Sequence, residues 1–273
     1  YTDDIELIED FFPSESLSFF SKNKKAKIIT SLAMFYDLED PISFANGIKE
    51  NLDTDGIWHF EQSYMPSMLR TNSYDTICHE HLEYYSLKNI LYILKEVDLK
   101  IIDVQLNDIN GGSFAVTATH LNSKKYLCNN SYIDWLISQE EKMKIDSLEP
   151  FREFKQRVEE HKNSLRDLIH RLRSDGKTIF GYGASTKGNV LLQYCNFSSD
   201  DIECIAEVNE DKFGCFTPGT KIPIISESEA KKMQPDYYLV LPWHFRNSII
   251  SREKKFLASG GNFIFPLPFI QIY

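Results

Sequence analysis

Leu99-Lys100-Ile101-Ile102-Asp103-Val104-Gln105-Leu106, the link Asn107-Asp108-Ile109-Asn110-Gly111-Gly112, and Ser113-Phe114-Ala115-Val116-Thr117-Ala118-Thr119-His120 decide how the first half of the chain folds. The outer runs are strand-like. The Asn-Gly step in the link favours positive φ, so the second run is expected to return antiparallel to the first. Upstream, Ser86 caps a helix whose Leu87, Ile90, Leu91 and Leu94 sit at i, i+3, i+4 and i+7, one apolar face against a core. Lys27 to Ala33 is a short β-branched run of the kind that makes a buried parallel strand. Asp40-Pro41 reads as an N-cap with proline in the first turn of a helix carrying Ile42, Ala45, Ile48 and Leu52. Asp53-Thr54-Asp55-Gly56 should stop that helix before a second strand, Ile57 to Glu61. At the start, Ile5, Leu7 and Ile8 are expected to open a strand running to Phe11-Phe12, and Ser14 to cap a short helix through Phe20.

Between the second strand and the Ser86 helix lies Tyr74-Asp75-Thr76-Ile77-Cys78-His79-Glu80-His81-Leu82-Glu83-Tyr84-Tyr85-Ser86, which holds more proton-transfer groups than any other segment. A connection of this kind is one that a scaffold can hold over a cleft. Three readings stand side by side. The histidines and carboxylates are catalytic, or they are a solvated surface cluster, or they bind a metal. The last is the weakest, because catalytic zinc takes a third protein ligand and no helical HExxH is present.

Residues from about Tyr126 to Leu172 are charged and mainly helical, with Tyr132, Trp135 and Leu136, Phe151, Phe154 and Val158, and Leu165, Leu168 and Leu172 at helical spacings. They are expected to bridge two sheets. The last hundred residues form a second α/β unit. It opens with the strand Lys177 to Phe180, the loop Gly181-Tyr182-Gly183-Ala184-Ser185-Thr186-Lys187-Gly188, and a helix through Val190, Leu191 and Leu192. Glycines and helix amides suit a phosphate, yet the spacing is neither GxGxxG nor GxxxxGK[ST], and a tight βα turn explains the glycines equally well. Ile202 to Val208, Tyr237 to Leu241 and Asn262 to Phe265 are further strands, making this half Rossmann-like. The expected division is residues 1–122 and 123–273, the helical part of the latter ending near 172.

A formal charge of −10 over 273 residues argues against non-specific nucleic-acid binding. Five scattered cysteines, Cys78, Cys128, Cys195, Cys204 and Cys215, without a CxxC pair, fit reduced thiols rather than a disulfide framework or structural zinc. No apolar run approaches a membrane-spanning length and the acidic start is unlike a signal, so no membrane partner and a cytoplasmic location are expected. Tyr1 is not an initiator methionine, and the chain reads as a fragment.

The sequence resembles the bacterial S-adenosylmethionine-dependent sugar C-methyltransferase family, which acts on nucleotide-linked keto-deoxysugars. The resemblance rests on Ile8-Glu9-Asp10-Phe11-Phe12, Phe35-Tyr36-Asp37-Leu38-Glu39-Asp40-Pro41, the stretch from Ser73 to Ser86, Asn110-Gly111-Gly112-Ser113, Gly181 to Asn189, and Phe265-Pro266-Leu267-Pro268. It implies the C-terminal part of a class I, Rossmann-like methyltransferase domain ending in the antiparallel hairpin, then a helical bridge and a second Rossmann-like α/β domain. The family's N-terminal zinc domain and its glycine-rich cofactor loop are not in this sequence. Zinc would therefore belong only to that other domain, and cofactor binding by this chain alone is expected to be weak.

The resemblance further implies S-adenosylmethionine as cofactor, with Met34, Phe35 and Tyr36 on the far wall of its pocket; core or rim packing is the alternative for the two aromatics. It makes His81 the base that removes a proton next to a ketone, with Glu80 beside it, and has Asp75 and Tyr74 orient the loop or reach the sugar. Cys78 stands where some members carry a tyrosine. The nucleotide of the substrate is expected against the loop from Gly181 to Gly188, with Tyr182, Ser185, Lys187, Asn189, Trp243, His244 and Arg246 around it. A non-catalytic nucleotide-sugar binding or scaffolding module is the alternative function. An NAD-dependent oxidoreductase using Gly181 and Gly183 is disfavoured by the misplaced third glycine.

Overall fold

The computed structural model describes Ile5, residues 7–13 and residues 24–273; the helix expected over Ser14 to Phe20 lies outside the described residues. The chain forms two compact units. One contains the residues up to Pro66 together with Glu80–Lys144, and the other contains Ser67–His79 together with Ile145–Tyr273.

In the first unit, β1 (Ala26–Leu32) leads through α1 (Pro41–Asn51) to β2 (Leu52–Ser63), and the chain leaves along α2 (Met65–Thr71). It returns with α3 (Leu87–Glu96), β3 (Leu99–Asn107), β4 (Ser113–His120) and α4 (Asn130–Lys142). The strand order is β1-β2-β4-β3, with β1 parallel to β2 and β4 antiparallel to both of its neighbours. Asn110, Gly111 and Gly112 all take positive φ in the link before β4. Asp40 caps α1 through the Ser43 N–H at 2.9 Å, and Ser86 caps α3 in a capping box with Asn89. The apolar face of α3, Leu87, Ile90, Ile93 and Leu94, is buried with Phe35, Trp58, Phe60, Phe114 and Val116 in one core.

Three local expectations are corrected. Asp53 to Gly56 do not stop a helix but belong to β2, whose pairing jumps from Ala26↔Leu52 to Ile28↔Ile57. The bulge brings Gly56 so close to β1 that an added Cβ would lie 2.8 Å from the Ala26 carbonyl oxygen. Among the described residues from Ile5 to Phe12 no strand forms. Asp10 turns that segment on itself, its N–H donating to the Ile8 carbonyl at 3.0 Å and its carboxylate accepting the Phe11 N–H at 2.8 Å, a local alternative to a ladder. The unit boundary falls at Lys144/Ile145 instead of 122/123. The reason is α4, whose Ile133 and Leu136 join the first core and whose buried Glu140 accepts from Leu87 N–H (2.6 Å), Lys88 N–H (3.1 Å) and the Tyr64 hydroxyl (2.7 Å). That carboxylate satisfies the first amides of α3.

The second unit begins with α5 (Glu149–Ser174), which buries Phe154, Val158, His161, Leu165 and Ile169. Then come β5 (Ile179–Tyr182), α6 (Thr186–Tyr194), β6 (Ile205–Glu207), β7 (Ile224–Ser226), α7 (Glu227–Met233), β8 (Tyr237–Val240), α8 (Arg246–Arg252), α9 (Lys254–Ala258), β9 (Asn262–Phe265) and β10 (Gln271–Ile272). The order is β10-β9-β8-β5-β6-β7, parallel except for β10. The order reverses between β6 and β8 on either side of β5, the place where open α/β sheets bind ligands. No helix among the described residues is long and apolar enough to cross a membrane.

Candidate functional site

In the first unit, β1 ends in a single 3-10 turn, Phe35–Asp37. Phe35 is 1% exposed, with ring centroids 5.4 Å from Trp58, 5.6 Å from Phe60 and 5.4 Å from Tyr85. It is a core residue that supports the turn, so its assignment to a cofactor wall is corrected. Met34 is half-buried, and the Tyr36 ring packs at a tilt against His81, centroids 4.3 Å apart. The Tyr36 carbonyl accepts the N–H groups of Leu82 and Glu83, both at 3.0 Å, which fixes the backbone just after His81. Glu80 is exposed and His81 half-buried. Burial raises the Asp37 carboxyl; His81 pulls against that and Glu80 adds to it. Tyr36, Asp37, Glu80 and His81 thus make a polar edge of aromatic and acidic groups at the carboxyl end of β1.

In the second unit, Tyr74 and Asp75 lie on the 3-10 turn Tyr74–Thr76, packed against α6. The Tyr74 hydroxyl is 3.1 Å from His161 Nδ1 and 3.7 Å from Cys195 Sγ. His161 Nε2 lies 2.6 Å from the Pro266 carbonyl. A carbonyl only accepts, so the proton of His161 sits on Nε2, and Tyr74 donates to Nδ1. Burial depresses the His161 pKa, with the carbonyl opposing, and raises the Tyr74 phenol far above its ordinary range. A phenol held protonated between two partners acts as an anchor. Burial likewise pushes the Cys195 thiol up to about 11.

Asp75 is 2% exposed; one carboxylate oxygen accepts the Trp243 indole N–H at 2.7 Å, and the other has no hydrogen-bond partner among the described residues. Burial raises its pKa against the pull of Trp243 and Lys187. Burial lowers the Lys187 pKa, opposed by Asp75 and Cys78. Burial and the Lys187 charge together bring His244 down to about 4. Asp75, Lys187, Trp243 and His244 are therefore one electrostatic group, with the lysine's field directed at a carboxylate of its own chain. Cys78 is half-buried and His79 exposed in the same unit.

The other residues expected around a nucleotide each have partners within the second unit. Ser185 Oγ caps α6 through the Gly188 N–H at 3.0 Å. Tyr182 is buried and donates to Glu253 at 3.0 Å while accepting from Arg252, and burial raises its phenol. Arg246 bonds Gln271 and lies over the rings of Phe265 (4.5 Å) and Tyr273 (5.8 Å). Asn189 is half-buried on α6.

Glu207, absent from the sequence expectations, answers the question left open by the glycine loop. Its carboxylate accepts Ala184 N–H (2.7 Å), Val208 N–H (2.7 Å) and Asn209 N–H (3.0 Å). Burial would raise its pKa, but these amides and then Lys212 hold it below the usual range. An amide that a phosphate would use is taken by an internal carboxylate. A cleft of about 330 Å³ beside it is lined by Tyr182, Ser185, Glu207, Lys212, Pro242 and Arg252 among others. The signal for Glu207 was present: an acid at the end of the second strand after a βα glycine turn. His161 gave none, since it meets Tyr74 across 87 positions. Among the described residues no group of three or more His, Cys, Asp and Glu side chains is placed to hold a metal ion.

Residues 108–268 match the family described as "C-methyltransferase C-terminal domain". The chain belongs to that family. Over 243 residues it is 34% identical to "C-methyltransferase NovU" of Streptomyces niveus, covering 89% of this chain and 57% of that protein. The chain thus spans little more than half the length of this C-methyltransferase. Among solved structures, LepI in complex with SAM aligns over 36% of this chain and 27% of its own, with 10% identity and a TM-score of 0.31. A complex of the Haloferax volcanii Trm112 methyltransferase activator with a methyltransferase aligns over 38% and 57%, with 10% identity and a TM-score of 0.32.

Proposed function

We propose that this chain is the part of an S-adenosylmethionine-dependent C-methyltransferase that removes a proton next to the ketone of a nucleotide-activated keto sugar, with His81 as the base. The observation that carries the reading is the pinning of His81. Its ring packs at a tilt against Tyr36, and the next two amides bond the Tyr36 carbonyl, at the carboxyl end of β1. Membership of the C-methyltransferase family supports the reaction class.

Of the residues assigned to the cofactor, Met34 and Tyr36 fit a sulfonium and Phe35 does not. An aromatic ring and the carboxylates of Asp37 and Glu80 form an edge that suits a cation. When bound, the cofactor supplies an electrophilic methyl group. This chain's own work is proton transfer. A neutral imidazole takes the α-proton while the C–H pair moves into the ketone and leaves an enolate. Packing against Tyr36 keeps the ring oriented for that step.

The test is deuterium exchange at the α-carbon of a thymidine-diphosphate-linked 4-keto-6-deoxyhexose in D2O. His81→Ala should lower the exchange rate by roughly 10²-fold or more. Exchange at the unaltered rate in a folded variant removes His81 as the base.

A further inference from the structure

In the first unit, the polar atoms of three side chains on the carboxyl side of the sheet have no hydrogen-bond partner among the described residues: both ends of the Gln62 amide, Ser63 Oγ and the Tyr85 hydroxyl. Gln62 is 1% exposed and Tyr85 5%. Gln62 follows Trp58 and Phe60 on the same face of β2, and Phe35 touches the rings of both Phe60 and Tyr85. The amide and the phenol therefore share one side of the sheet. Lengthwise, Leu32 pairs with Glu61 and Ala33 N–H donates to the Glu61 carbonyl at 2.8 Å. Gln62 thus stands level with the start of the turn that holds Tyr36 and, through it, His81. Each buried polar group left unpaired is destabilising, and leucine would fill a similar volume. Open α/β sheets bind their ligands at the carboxyl edge.

We propose that Gln62 and Tyr85 form a neutral polar floor in the first unit that receives an uncharged oxygen of the ligand, the keto or hydroxyl oxygen of a sugar. The inference rests on the reading in which His81 is the base. Its chemistry follows from the groups. The amide offers a donor and an acceptor and the phenol a donor, and neither carries a charge that would balance a phosphate or carboxylate. Donors aimed at a carbonyl oxygen strengthen their hold as an enolate develops there.

The test combines NMR with kinetics on the whole chain. The side-chain NH2 resonances of Gln62 are assigned by their loss in Gln62→Leu. Thymidine diphosphate alone and a thymidine-diphosphate-linked 4-keto-6-deoxyhexose are then added, at concentrations where the ligand's own signals report binding. We expect the keto sugar nucleotide, and not thymidine diphosphate, to move the Gln62 pair. Gln62→Leu and Tyr85→Phe should each slow α-carbon exchange at least tenfold, and Gln62→Leu should unfold at an equal or higher temperature. Equal shifts with both ligands, or with neither, overturn the inference, as does Gln62→Leu that exchanges at the wild-type rate. A Gln62 shift by the keto sugar without any α-exchange keeps the floor and removes His81's role. Exchange without a shift does the reverse.

Discussion

The Tyr74 hydroxyl, donating to a histidine whose tautomer is set by the Pro266 carbonyl, converts part of the motif into an anchor for the second unit. Tyr74→Phe leaves Nδ1 of His161 buried without its donor, so it should cost about 1–3 kcal/mol in urea unfolding. His244 carries a pH prediction. Its folded pKa, about 4, lies below the unfolded value of ~6.5, so the unfolded chain binds more protons between the two. The contribution of His244 is fully present above pH ~6.5 and is lost as pH falls towards 4. After discounting for solvent screening it amounts to on the order of 1–2 kcal/mol. An NMR titration of the His244 ring should find a midpoint near 4, and Lys187→Gln should raise it. An unchanged midpoint in that variant would show that the lysine's field does not reach the ring.

Elements with strong local chemistry were legible in advance. The start of α1 follows from Asp40-Pro41, that of α3 from Ser86, and β9 from Asn262 to Phe265, because a cap or a compact apolar run needs no distant partner. Elements decided by distant partners were not. Asp53 to Gly56 look like a helix stop, and only the neighbouring β1 makes them a bulged strand. Strands of three and two residues, β7 and β10, fall below any periodicity. The candidate site divides the same way. His81 and Glu80 stand out by residue type, while Gln62, His161 and the Glu140 carboxylate owe their places to contacts across the fold. Two elements give direct tests. Ser185→Ala removes the cap of α6 and should lower stability by about 1 kcal/mol in chemical denaturation. Gly183→Ala should destabilise more, since φ is +81° there and the new Cβ would sit 2.9 Å from the Pro242 ring.

At the scale of the whole molecule, Ser67–His79 belongs with residues 145 onward although it lies between the two halves of the first unit in the chain. Tyr74 with His161, and Asp75 with Trp243, are the bonds that place it there. A chimera that takes residues 145–273 from a relative at 34% identity and keeps residues 1–144 from this chain mixes those pairs. Its second unit should melt at a lower temperature than that of a chimera that also takes residues 67–79 from the relative; equal melting temperatures would mean that the segment contributes nothing to that unit. The two units are thus written into each other along the gene. Recombination at a single crossover cannot exchange one whole, so lineages that trade this C-terminal unit must carry two separate pieces of coding sequence together or inherit a mismatched seam.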